Sequence, residues 1–117
     1  MANISFGIEN RELLGLWIIE DKPTNITATI NFEKNGTFSG HAKEQGKVIW
    51  KYSGKWWLEG KTLKYEYLKS DRDWVNPGFL DSDMILGVNA KTLKLKQIGG
   101  HRDGDIMIYT KVIMDRD

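Results

Sequence analysis

From Leu13 onward this chain alternates: apolar and polar residues exchange places at every second position, and the pattern is cut at short intervals by Gly, Asn and Asp. Residues 24–32, TNITATINF, place Ile26, Ala28, Ile30 and Phe32 on one face and Thr27, Thr29 and Asn31 on the other. Residues 48–58 repeat the pattern, setting Val48, Trp50, Tyr52, Gly54, Trp56 and Leu58 against Lys51, Ser53 and Lys55. Successive side chains of a strand point to opposite sides, so a period of two marks strands with one buried face. Few folds satisfy many such strands in so short a chain.

The breakers set the strand limits. Strands are predicted over residues 16–20, 25–33, 37–43, 48–58, 62–68, 83–88, 92–98 and 105–113. Asn35-Gly36, Glu59-Gly60 and Asn89-Ala90 are tight turns, the first being the strongest hairpin signal in the chain. Residues 8–14, IENRELL, predict a short helical turn with Asn10 as its cap and Leu13 and Leu14 facing inward. In the last strand Ile106, Ile108 and Val112 share a face. Parallel strands need crossovers of a dozen or more residues, and only the segment 70–82 is that long. The strands are therefore antiparallel neighbours. Eight of them avoid open edges best as one all-β, eight-stranded, antiparallel up-and-down barrel spanning residues 1–117 as a single domain. An open, strongly curved sheet packed on the N-terminal turn is the other arrangement compatible with the pattern.

A meander sends alternate loops to opposite ends. The three tight turns fall together, which makes that end closed. The opposite end gathers the loops 21–24, 44–47, 70–82 and 99–104, and it is there that a ligand-binding mouth is expected. Trp74 lies in the first long loop (SDRDWVNPG) with no strand pattern to require it, as a plug or as a binding anchor; His101 and Arg102 lie in the second. The inward phase carries Trp17, Phe32, Phe38, Trp50, Tyr52, Trp56, Tyr65 and Tyr67, enough rings to fill a barrel of this size. Any residual cavity is expected beside the small inward residues Ala28, Gly40 and Ala42. Ile49 and Trp57, of opposite phase, suggest an apolar spot on the outside.

Composition excludes more than it supplies. With 17 basic and 16 acidic residues spread along the chain, there is no basic stripe for nucleic acid. The absence of cysteine removes disulfides, thiolate metal sites and a cysteine nucleophile. Ser39 and His41 share a face without a carboxylate partner, and Asp71, Asp73, Asp81 and Asp83 lack the spacing of a calcium loop. No enzyme, metal or cofactor is expected. No run approaches the ~18 apolar residues of a membrane span, and residues 1–15 lack the core of a signal peptide. The expectation is a soluble chain, cytoplasmic or exported after loss of a leader.

Gly15-Leu16-Trp17 opens the first strand with a Gly-x-Trp pattern that resembles the lipocalins and their wider barrel superfamily. Residues 29–68 resemble the small, largely uncharacterised bacterial lipocalin-like domains in particular, through Phe32, Asn35, Gly36, Thr37 and Phe38, followed by Tyr52, Gly54, Trp56, Leu58, Leu63 and Tyr67. The resemblance implies that Trp17 closes the barrel floor beneath a basic residue of the last strand, for which Lys111 is the nearest candidate. It also implies a non-enzymatic binding protein. The expected ligand is small and apolar or amphipathic, held by Trp50, Tyr52, Trp56, Tyr65 and Tyr67, with Trp74, His101 and Arg102 at the rim. A protein-interaction module with a filled core (an inhibitor, immunity or envelope-associated factor, or a homodimer) is the alternative.

Overall fold

The computed structural model describes residues 8–72, 75–100 and 102–113. Eight strands follow a short helix, α1 (Asn10–Leu13): β1 (Gly15–Asp21), β2 (Ile26–Phe32), β3 (Thr37–Glu44), β4 (Lys47–Glu59), β5 (Thr62–Ser70), β6 (Phe79–Val88), β7 (Thr92–Ile98) and β8 (Ile106–Lys111). Each pairs antiparallel with the next, and β8 closes on β1 through Trp17 opposite Lys111 and Ile18 opposite Thr110. The alternation thus yields a closed up-and-down barrel. Its loops alternate between the ends as the meander requires: the β2–β3, β4–β5 and β6–β7 turns at one, and the longer connections 71–78 and 99–105 together with the short ones at 22–25 and 45–46 at the other.

The floor is tightly built. Leu13, at the end of α1, is fully buried and its carbonyl accepts the Trp17 indole N–H at 2.8 Å. Trp17 is itself fully buried, and the Lys111 ammonium lies 4.6 Å from the centre of its ring. The ammonium also donates to the carbonyl of Leu14, which fixes it there. Gly15 makes this possible. Its φ of +111° suits only glycine, and a Cβ there would stand 2.8 Å from the lysine's Cε and Nζ. Phe32, Phe38, Leu63, Leu93 and Leu95 complete a floor and middle that exclude water.

Three local expectations are corrected. The residue capping α1 is Glu9 rather than Asn10, and its N–H is taken by the Glu12 carboxylate at 3.0 Å, as in a capping box. β6 begins at Phe79, not at residue 83, because residues 79–82 pair with β5 from Tyr67 to Lys64. Asp81 therefore stands on a barrel wall with Asp83, not in a loop. Val48 turns outward: a bulge sets Ala42 opposite Trp50 but Lys43 opposite Val48, and one extra residue reverses the phase. Ile106 and Ile108 share a face, as expected, and it is the outer one, at 49% and 54% exposure, while Met107, Tyr109 and Lys111 point inward. The pairing of Leu93 with Tyr109 and of Trp17 with Lys111 fixes that phase, whatever the apolar count of the other face.

Candidate functional site

The inward aromatics form a chain of ring contacts that climbs the barrel. Trp56 meets Phe32 edge-on at 5.1 Å, Phe32 leads to Tyr65 at 6.4 Å, and Tyr65 leads to Phe38 at 5.6 Å. Phe38 meets Tyr67 at 5.3 Å, and around Tyr67 the chain opens into a group with Trp50, Tyr52 and Phe79 at 6.3, 6.2 and 6.0 Å. Edge-on and offset geometries such as these suit the ring quadrupoles. The lower members are buried, but Trp50, Tyr52 and Tyr67 are only half-buried and Phe79 is 43% exposed. These four sit at the end that carries the long loops, and they form its inner lining.

Several polar contacts set their positions. The Trp50 indole donates to Ser70 Oγ at 2.7 Å. The Tyr52 hydroxyl donates to the Thr29 carbonyl at 2.7 Å, laying its ring across Gly40, where a Cβ would stand 2.5 Å from ring carbon Cε1. The space expected beside Gly40 is thus occupied by Tyr52. From the β5–β6 connection, Arg72 brings its guanidinium to 5.9 Å from the Trp50 ring centre, a cation–π distance. Val75 of the same connection is buried, so this loop folds back on the barrel.

The opposite wall is acidic. Going down β6 from the rim, the inward positions are Phe79, Asp81, Asp83 and Ile85. Gln97 on β7 donates to Asp81 Oδ1 at 2.9 Å, and the Tyr65 hydroxyl donates to Asp83 Oδ2 at 2.7 Å. Asp83 is 5% exposed, and its second oxygen, Oδ1, is buried without a hydrogen-bond partner among the described residues. Burial pushes the Asp83 carboxyl up from 3.8 to about 7, against the opposing pull of the Tyr65 hydrogen bond; the nearby Asp81 charge adds to the rise. Asp81 is raised by burial too. Tyr52, Tyr65, Tyr67 and Tyr109 are all pushed upward, first by burial, so they stay neutral hydroxyl donors. A carboxyl poised near neutrality can hold a proton, accept a donor or pair with a cation.

The proposed binding residues are placed unequally. Trp50, Tyr52 and Tyr67 come together at the mouth, and Tyr65 lies one layer deeper beside Asp83. Trp56 stands toward the hairpin end, its indole donating to the Glu33 carbonyl at 3.1 Å. Arg102 extends from the β7–β8 loop and pairs with Asp105 at 2.9 Å, largely exposed. Trp74 and His101 lie outside the described residues. Phe79, Asp81, Asp83 and Tyr109 were absent from the expected site. The available signal was phase, since Asp83 stands two positions before Ile85 on an alternating strand.

Outside the barrel, two open grooves run over β2–β4 and β3–β5, the first lined by outward residues that include Thr29, Asn31, Ser39, His41 and Lys51. His41 Nδ1 lies 3.4 Å from Thr29 Oγ1. Ile49 and Trp57 are half-buried, and the Trp57 indole is tied to Glu59 at 3.0 Å. Exposed aliphatic side chains stand elsewhere on the outer wall of β6–β8, at Met84, Leu86, Ile98, Ile106 and Ile108, with Lys94 and Lys96 of β7 between those of β6 and β8. Among the described residues, no His, Asp and Glu side chains converge in a group of three that could hold a metal ion. No helix among them is long and apolar enough to cross a membrane.

No protein-family model matches this sequence, and no curated protein matches it. Solved structures do share its fold. A lipocalin-like protein from Bacteroides uniformis ATCC 8492 is 18% identical, with a TM-score of 0.62 over 86% of this chain and 99% of that one. A second protein from the same organism, solved by NMR, is 15% identical, with a TM-score of 0.64 over 90% of this chain and 93% of that one. The lipocalin-like architecture read from Gly15 to Tyr67 is thus matched in three dimensions, and at these identities the likeness is one of fold.

Proposed function

We propose that the chain is a non-enzymatic binding protein whose mouth holds a small apolar or amphipathic molecule. The observation that carries this reading is the state of the four upper rings. Trp50, Tyr52, Tyr67 and Phe79 face the lumen at the open end, yet water still reaches them. Core aromatics are buried as a rule, and an inward-facing apolar lining left wet at a barrel mouth is a surface that a ligand can cover. The deeper rings fill the barrel, so the ligand rests in the mouth rather than sinking to the floor.

Titration with a neutral aromatic alcohol, naphthylmethanol, followed by tryptophan fluorescence, tests this. A saturable change with a dissociation constant on the order of 10–100 μM is expected, since ~12 heavy atoms in a half-open site contribute modestly. Tyr67→Ala, which removes the ring at the centre of the group, is expected to weaken binding about tenfold while the far-ultraviolet circular dichroism is kept. A strictly linear response up to the probe's solubility limit sinks the proposal.

The exposed aliphatics of the β6–β8 outer wall favour a second reading, an interaction module that uses its outside. Native mass spectrometry of the purified protein separates the two: a co-purifying small molecule supports the mouth, and a dimer supports the wall.

A further inference from the structure

We propose that the ligand of this mouth carries an organic ammonium group, anchored by the unpartnered Oδ1 of Asp83. The inference rests on the mouth-binding reading and adds the chemical class of the ligand. A buried acceptor with no partner is costly, and native proteins seldom leave one without a reason. Here the oxygen belongs to a 95%-buried carboxyl (5% exposed) on the lumenal face of β6, two residues below Asp81 and four below the rim residue Phe79. Its sister oxygen is already taken by the Tyr65 hydroxyl. What remains is a buried acceptor on the lumenal face of β6, below the rings of the open end.

The surroundings select a cation over a neutral donor. Two carboxyls, Asp81 and Asp83, face the same lumen, and the rings above them offer π faces to a positive charge. The cation–π preference is already visible at Trp50, where Arg72 places its guanidinium against the ring. An elongated molecule with a charged end and an apolar body fits this gradient: ammonium down toward the acids, body among Trp50, Tyr52, Tyr67 and Phe79. An anionic ligand meets the wrong sign at depth.

Among the described residues, the groups facing Asp83 are Asp81 on its own strand, Tyr65 and Tyr67 on β5, and Tyr109 on β8; β7 contributes the uncharged Gln97, Tyr52 reaches across from β4 beside Tyr109, and the Arg102 cation also acts on Tyr109. The tyrosines remain neutral at all moderate pH, so among these groups the carboxyls are the ones that change charge. Asp83 titrates near 7, so the site gains its negative charge across neutrality, and the preference for an amine is expected to grow with pH.

The experiment compares three probes of one shape: naphthylmethylamine, naphthylmethanol and naphthoate. At about pH 8 the amine is expected to bind at least tenfold more tightly than the alcohol, and naphthoate more weakly than either. By about pH 5, with Asp83 protonated, the amine's advantage is expected to fall to about twofold. This pH series needs no variant. Asp83→Asn, checked for folding by circular dichroism, is expected to level amine and alcohol at both pH values while alcohol binding persists; Glu66→Gln, which removes a carboxylate from outside the barrel, is expected to keep the preference. Equal affinity of amine and alcohol, a pH-independent preference, or a preference that survives Asp83→Asn overturns the ammonium anchor and leaves the mouth reading standing. Failure of the alcohol and the amine alike sinks both.

Discussion

The two ends of this barrel are built from similar residues to opposite effect. At the floor, Trp17 is fully buried, its N–H is spent on Leu13 and its face is covered by Lys111. At the mouth, Trp50, Tyr52, Tyr67 and Phe79 are as large and as aromatic, yet each keeps part of its surface in water, and a buried carboxylate oxygen beneath them lacks a partner. One end meets its packing and hydrogen-bonding demands internally. The other leaves demands open. The contrast locates stability at the floor and binding at the mouth, and substitutions at matched residues can break it.

The largest effect is expected at the floor. Trp17→Ala removes a fully buried indole from a site closed by α1 and Lys111, leaving a cavity, an unpaired Leu13 carbonyl and a Lys111 ammonium without its ring. The loss is expected to be about 3–5 kcal/mol by urea denaturation, a large share of a typical domain's total. Trp17→Phe, which keeps a ring but loses the N–H donor, is expected to cost about 1–3 kcal/mol. A loss below 1 kcal/mol from the alanine variant, about what a half-exposed side chain costs, would mean that the floor is not the anchor.

Asp83 provides a test with a sign. Its carboxyl titrates near 7 in the folded chain and near 3.8 when exposed. Below about pH 4 both states hold the proton, and stability is at its fullest. Between about pH 4 and 7 the unfolded chain loses the proton while the folded chain retains it, so stability falls with rising pH; above 7 the loss is complete. Asp83→Asn removes this slope. Relative to the parent, the variant is expected to gain roughly 2–4 kcal/mol on going from pH 4 to pH 8, read from urea midpoints at each pH. Matching pH profiles for the two proteins would remove the argument that the acid is desolvated, and with it the contrast between the ends.

What the sequence disclosed divides along the same line. Alternation and tight turns sufficed for the eight strands and their closure, because these depend on local periodicity; the placing of Lys111 over Trp17 came from the resemblance to the lipocalin-like domains. The mouth was less legible. Its ring cluster could be read from phase, but the run containing Asp81 resembled a polar loop because acids are rare on inner barrel faces, and that hid the first four residues of β6. The outward turn of Val48 depends on a bulge between Ala42 and Lys43, which no composition rule marks. In each case tertiary pairing overrode local preference.

Phe79 gives the smallest stability effect and the sharpest comparison with Trp17. Its ring packs against Tyr67 at 6.0 Å, but 43% of its surface is exposed, and water can occupy whatever space its removal creates. No sealed cavity forms, so only the transfer of the buried part of the ring is lost. Phe79→Ala is therefore expected to cost about 1 kcal/mol or less in urea denaturation, several times less than the floor substitution. The same change strips one wall from the proposed binding surface, and weaker binding of naphthylmethanol by about threefold to tenfold is expected by fluorescence titration. If Phe79→Ala instead unfolds the protein, the mouth rings are structural after all. A variant of parental stability with weakened binding shows that an aromatic side chain at this end serves the ligand rather than the fold.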